Sequence, residues 1–277
     1  MIGNKKISTF KVDIFFVLFV KCYWKKQIVW YNRNMEKRFF VNKEDLYGNK
    51  ITIKGEEFMH LYKVMRMRVG DIIECFYDGS EIYSCEISKI EKTFAEVTIV
   101  DSFACVANPT KNVVLFQALP KLDKLELVTQ KVCELGVSKI VPFESRFTVA
   151  KPNQNKMERL EKISISACKQ CGRTALLGIG DTITFKQLLT QIKEFDQVIL
   201  ANETENTNAL NEIKGDKIAI IVGSEGGFAK EEIEELVAGG AISVTLGKRI
   251  LRTETASVVL SALVLDRLGE LKWKFVC

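Results

Sequence analysis

Two short apolar runs constrain this chain more than any other feature. Gln197–Ala201 and Lys217–Val222 carry apolar residues at consecutive positions rather than at every second one. A strand covered on one face alternates. A strand apolar throughout is buried on both faces, the condition of a parallel sheet held between two layers of helix. The flanking segments agree: 112–119, 138–143 and 241–246 read as further strands, and 121–135, 156–170, Lys230–Ala238 and 254–269 as helices. In the first of these helices Leu122, Leu125, Val128, Val132 and Leu135 share one face, and Gly136 ends it. Strands alternating with helices make residues 108–277 an α/β domain.

The part before it is patterned differently. Residues 71–77 and Glu81–Ile90 are β-rich and flank Asp78-Gly79, a hairpin signal, and 93–100 alternates in the same way. One helix fits among these strands, with Glu56, Glu57 and Phe58 followed by His60, Leu61, Val64 and Met65 at helical spacing, closed by Gly70-Asp71. Residues 35–107 are therefore expected to form a small β domain, joined to the next through Asn108-Pro109-Thr110. Residues 1–34 are expected to be an extension outside the fold, with the working chain opening at Met35. Their apolar run, 14–20, is short for a signal peptide, and no small-residue cleavage site follows it.

Charge and composition narrow the function. The net charge is +5, but the first 34 residues hold seven Lys and Arg against one Asp, so the rest of the chain is close to neutral. Any nucleic-acid surface must be a local patch. The single histidine, His60, excludes His-triad hydrolysis and metal sites built on several imidazoles. No run of eighteen apolar residues suggests a membrane span. Several of the eight cysteines lie in apolar alternation, and Cys168-x-x-Cys171 has no second pair and sits in a helical run. Reduced structural thiols, a cytoplasmic location and no metal are expected.

Two loops carry the chemistry. Strand 217–222 runs into Gly223-Ser224-Glu225-Gly226-Gly227-Phe228, a place where open α/β sheets bind ligands. It matches neither the dinucleotide nor the phosphate-loop pattern, and a tight turn would explain it equally well. The second loop, from Gly247 to Ala256, interleaves apolar and charged residues after another strand. Ile250 and Leu251 can floor an apolar pocket, with Arg252 and Glu254 placing charge at its mouth. Helix capping accounts for Thr253 and Glu254 but leaves the six residues before them unexplained.

Together these loops resemble the 16S ribosomal RNA (uracil-1498-N3) methyltransferase family of the SPOUT superfamily. The likeness rests on Gly223-Ser224-Glu225-Gly226-Gly227-Phe228 and on Ile250-Leu251-Arg252-Thr253-Glu254-Thr255-Ala256. It extends to Arg38-Phe39-Phe40-Val41, the run from His60 to Asp71, Lys121 with Lys124, Lys131, Glu134-Leu135-Gly136 and Gln170-Cys171-Gly172-Arg173. The resemblance implies a PUA-like β-barrel for RNA, then a SPOUT α/β domain with a C-terminal trefoil knot, working as a homodimer off the membrane. It implies S-adenosylmethionine as cofactor, bound by Leu200, Gly223, Glu225, Gly226, Gly227, Leu246, Gly247, Ile250, Leu251, Thr255 and Ala256. Four places depart from the family pattern: Ser224 for proline, Lys169 for glutamate, Leu177 for proline, and Ser145-Arg146-Phe147 for Glu-Arg-Ser.

The implied reaction moves a methyl group to N3 of a uracil in small-subunit ribosomal RNA. Arg252 is expected to face the negative charge developing on O4 or O2, and Glu225 or Glu254 to accept the N3 proton. Orienting the loop through backbone hydrogen bonds is an equal alternative for Glu225. RNA is expected at Arg38, Arg66, Arg68, Lys121, Lys124 and Arg173. An inactive RNA-binding assembly protein and a SPOUT enzyme acting on another RNA are the competing readings. The second loop argues against a ribose methyltransferase of tRNA.

Overall fold

The computed structural model describes residues 37–79, 81–148 and 154–271. The expected extension 1–34 and the opening at Met35 lie outside them.

The first sheet contains β1 (Arg38–Phe40), β2 (Leu46–Tyr47), β3 (Lys50–Lys54), β4 (Ile72–Phe76), β5 (Glu81–Ile90) and β6 (Phe94–Ala104), in the order β1-β4-β5-β6-β3-β2. Only β1 and β4 pair in parallel. Asp78 and Gly79 lie in the connection between β4 and β5, as the hairpin signal requires. In β3 the buried Ile51 and Ile53 alternate with exposed Lys50 and Lys54, so one face enters the core with Phe39, Ile73, Cys75, Cys85, Ile87, Ala95 and Val97. The single helix expected here is two pieces. An α-helical turn, α1 (Gly55–Met59), widens into a π-helical turn over His60–Val64, where Met65 N–H donates to the carbonyl of His60. Phe58 and Leu61 both point into the core, and the chain leaves through Arg66 in the left-handed conformation, φ 53°.

The second sheet is wholly parallel. It is built from β7 (Asn112–Ala118), α2 (Leu122–Leu135), β8 (Lys139–Glu144), α3 (Gln154–Cys171), β9 (Gly178–Ile179), β10 (Ile183–Thr184), α4 (Phe185–Gln191), β11 (Gln197–Ala201), β12 (Lys217–Val222), α5 (Lys230–Ala238), β13 (Ala241–Val244) and α6 (Thr253–Arg267). The strand order is β10-β8-β7-β12-β11-β13, with β9 also beside β8. The two uninterrupted apolar runs are the central strands β11 and β12, and each faces two cores. Ile199, Ile218, Ile220 and Val222 pack with Val128 and Val132 of α2 and with Leu260 and Val264 of α6. Val198, Leu200, Ala219 and Ile221 face the opposite core with Leu188 of α4 and Leu236 of α5. Gly136 takes φ 108° at the end of α2, a conformation that a residue with a Cβ rarely adopts.

Three further features differ from the sequence reading. The last strand stops at Val244, which leaves Thr245 and Leu246 in the loop beyond it. β9, β10 and α4 were not expected; α4 is set by a capping box in which Thr184 and Gln187 exchange hydrogen bonds. Asn108, read as part of a linker, is a joint. Its Oδ1 accepts from the N–H groups of Thr174 and Ala175, both at 2.8 Å, while its Nδ2 donates to the carbonyl of Gly79 at 3.1 Å. The turn of the small sheet is thereby tied to the loop following α3. Phe76 of β4 also packs in the core of the larger sheet.

Two expected RNA contacts are corrected here. Arg38 is 1% exposed, and its guanidinium lies 2.6 Å from the buried carboxylate of Glu74 on the paired strand. Arg173 is 2% exposed and donates to the carbonyls of Ala175, Cys133 and Val137, closing the C-terminal end of α2. Both arginines hold the fold together from inside. Lys169, the charge reversed from the family pattern, also has a partner: its Nζ is 2.8 Å from Glu57 of α1 and 5.5 Å from the centroid of the Phe39 ring. A second pair, Lys162 with Glu56, lies along the same seam. A glutamate at position 169 would set like charges against Glu57.

Candidate functional site

Because β12, β11 and β13 are neighbours and parallel, their C-terminal ends open on one edge, and the loops beyond them converge there. They enclose a cleft of about 390 Å³, the size of a small-ligand pocket. Gly223, Glu225 and Gly227 line it from the loop after β12. Leu246, Gly247, Ile250, Leu251, Arg252 and Ala256 line it from the loop after β13 and the first turn of α6. Gly227 has φ 66° and donates to the carbonyl of Ser224 at 3.1 Å, folding the loop back on itself. The left-handed conformation calls for glycine, and a Cβ there would stand 2.8 Å from Oε1 of Glu203 and displace that carboxylate.

A buried polar network fixes the two loops to each other. Gln117, fully buried at the end of β7, donates through Nε2 to the carbonyl of Gly223 at 3.2 Å and to the hydroxyl of Thr253 at 3.1 Å. The Thr253 hydroxyl in turn donates to the Gly223 carbonyl, and Ser257 donates to Gln117. The capping explanation of Thr253 therefore fails. Arg252 occupies the N-cap position without a side-chain cap, and Thr253 begins the helix while joining the loops.

Charge in the cleft is organised around Lys124. Its Nζ lies 3.1 Å from Glu225 and 3.4 Å from Glu254, and its side chain is 21% exposed. The hydrogen bond to Glu225 raises the Lys124 ammonium above its ordinary value, against a smaller opposing effect of burial. Burial pushes the Glu225 carboxyl upward, but its own backbone N–H, the N–H of Lys121 and the Lys124 ammonium outweigh that and hold it below the usual carboxylate range. Arg252 is exposed at the rim, and no ion pair to it occurs among the described residues. Lys124 is neutralised within the site, whereas Lys248, Arg249 and Arg252 are exposed along the second loop.

Two family models match the chain: an RNA methyltransferase domain over residues 107–265 and an RNA methyltransferase PUA domain over 53–100. The ribosomal RNA small subunit methyltransferase E of Bacillus subtilis is 35% identical over 74% of this chain and 85% of its own. The protein of the same name from Buchnera aphidicola is 33% identical over 83% of this chain and 93% of its own. The crystal structure of the Neisseria gonorrhoeae enzyme of that name, bound to S-adenosyl methionine, superposes with a TM-score of 0.76 at 28% identity, covering 83% of this chain and 97% of that one. This chain belongs to the ribosomal RNA small subunit methyltransferase E family. It is an RNA methyltransferase, with a PUA-like domain ahead of a SPOUT-like α/β domain.

Several residues carried over from the methyltransferase E pattern do not meet the cleft. Leu200 is fully buried within β11; the chain reaches the cleft at its tip, through Ala201, Asn202, Glu203 and Thr204. Gly226 lies on the outer side of its loop, where a Cβ would come 2.8 Å from Phe147. Thr255 is exposed on α6 and does not line the cleft, and Glu254 touches Lys124 without lining it either. Ile250 is 82% exposed, so it forms a rim and not a floor. Among the expected RNA residues, Arg66 and Arg68 are exposed on either side of buried Met67, while Lys121 is exposed next to the cleft. Lys124 belongs to the site rather than to an RNA patch.

Gln117 and Glu203 escaped the sequence reading. Gln117 left a trace as a polar residue breaking the apolar run that starts at Val113. Among the described residues no group of three or more His, Cys, Asp or Glu is arranged to hold a metal ion, and no helix is long and apolar enough to cross a membrane.

Proposed function

We propose that this enzyme methylates N3 of a uracil in small-subunit ribosomal RNA with S-adenosylmethionine as donor. The observation that carries the reading is the meeting of the 223–227 and 246–252 loops at adjoining strand tips, around a cleft whose rim holds Arg252 with no ion pair among the described residues. The residues present fit the donor. Phe228, Leu246 and Leu251 offer apolar surface to a purine, and the glycine loop leaves its backbone open to close approach. When bound, the cofactor supplies a methyl group on a positively charged sulfur.

The chain's own residues do the rest. Arg252 sits opposite the uracil oxygens, where negative charge grows as N3 loses its proton. Glu225, held by the Lys121 N–H and by Lys124, orients the glycine loop. Glu225 or Glu254 receives the proton; Glu225 lines the cleft, while Glu254 stands behind it with its Oε2 3.4 Å from the Lys124 ammonium. Lys124 between the two carboxylates keeps them from repelling each other.

The same reading includes closure of the six-stranded sheet into a PUA-like barrel over residues 35–107, a methyltransferase domain over 108–277, a trefoil knot through the cleft loops, and a homodimer in the cytoplasm. Leu127 and Leu263, exposed on the packed helices α2 and α6, support the subunit contact. Mass mapping of small-subunit ribosomal RNA from cells lacking this protein tests the function. One N3-methyluridine should vanish and return when the purified enzyme and S-adenosylmethionine are added to the isolated subunits. An unchanged modification map would refute it.

A further inference from the structure

Of the two carboxylates lining the cleft, Glu225 is held by Lys121 and Lys124, whereas Glu203 has no hydrogen bond or ion pair among the described residues. Its place is nevertheless built. Asn202 N–H donates to the carbonyl of Val244, and the Asn202 side-chain amide donates to Ser243 at 3.1 Å. The Asn202 Oδ1 accepts from the N–H and the hydroxyl of Thr204, so the backbone on both sides of Glu203 is fixed. The carboxylate lies over Gly227, which has no side chain to push it away.

We infer that Glu203 binds the ribose of the cofactor by accepting hydrogen bonds from its vicinal hydroxyls. This rests on the proposed use of S-adenosylmethionine. β11, which delivers Glu203, lies between β12 and β13, so the residue stands between the two cleft loops and meets the middle of an elongated ligand. The cations Lys248 and Arg249 lie on the β13 side, where they suit the ligand's own carboxylate and draw the amino-acid end away from Glu203. The apolar Phe228, in the loop after β12, suits the purine. What is left for a free carboxylate at the centre is the diol, and two carboxylate oxygens match two adjacent hydroxyls, as acidic residues do for ribose in other nucleotide sites.

Calorimetry with S-adenosylhomocysteine and with methylthioadenosine tests this, because the second ligand keeps the ribose and lacks the amino acid. Glu203→Gln and Glu203→Ala should weaken both ligands by a similar factor, roughly ten- to a hundredfold, with alanine the worse of the two. Circular dichroism and melting should match wild type. A loss confined to S-adenosylhomocysteine would assign Glu203 to the ammonium group and overturn the inference, as would unchanged binding of both. If wild type bound neither ligand, the reading of the cleft would fall and this assignment with it.

Discussion

Lys124 is the residue whose removal reports most directly on the site. Lys124→Met keeps the length of the stem and deletes the ammonium, leaving Glu225 and Glu254 facing each other without it. A pair of unit charges at these separations is worth about 1 kcal/mol in a water-like medium and about 5 kcal/mol at an effective dielectric near 20. The three side chains are 21%, 34% and 15% exposed, which places the contacts between those limits but nearer the solvated one. A loss of about 1–2 kcal/mol follows, or about 2–8 °C in melting temperature for a chain of this size. The pH dependence has a definite sign. The folded Glu225 carboxyl is held low, so its ion pair stabilises the fold above the unfolded carboxyl value of about 4.3 and is lost as pH falls through the folded value. The deficit of Lys124→Met should be full at pH 7 and shrink below about pH 4. Thermal melts across that range measure it, and a double-mutant cycle with Glu225→Gln isolates the pairwise part. A variant melting within about 1 °C of wild type at pH 7, or a deficit that grows on acidification, would refute the reasoning.

Arg252→Ala should lower methyl transfer by roughly 10²–10³-fold while S-adenosylmethionine still binds; intact turnover in a single-turnover assay would end its assignment to the base. Glu74→Ala leaves the buried Arg38 guanidinium without its carboxylate, and urea unfolding should show a loss of about 3–5 kcal/mol. Gly227→Ala adds left-handed strain of about 1–2 kcal/mol and displaces Glu203, so calorimetry should show cofactor affinity falling more than stability does.

The sequence exposed what depends on neighbours along the chain and hid what depends on distant ones. β11, β12 and α5 fall at the bounds their patterns indicate, because burial on both faces and helical spacing are local properties. β9 and β10 are two residues each, too short for any period to register. Arg38 and Arg173 read as surface cations because the partners that bury them include a carboxylate 36 residues from Arg38 and the carbonyls of Cys133 and Val137, about as far from Arg173. Glu225 and Lys124 are separated by 101 positions and meet only because β12 and the segment after β7 end on one edge of the sheet. The two loops were legible as a site; which of their side chains face the cleft was not, since Gly226 and Thr255 belong to the right segments and lie on the wrong side.

The tie at Asn108, with the ion pairs along α3, has a consequence for how such an enzyme selects its target. Two units fastened at separate points resist swinging to accommodate a differently shaped strand and favour one relative placement. An RNA held by the small sheet would have to offer its reactive base at a set reach and angle, and recognition would then fall to the three-dimensional shape of the substrate more than to the letters around the base.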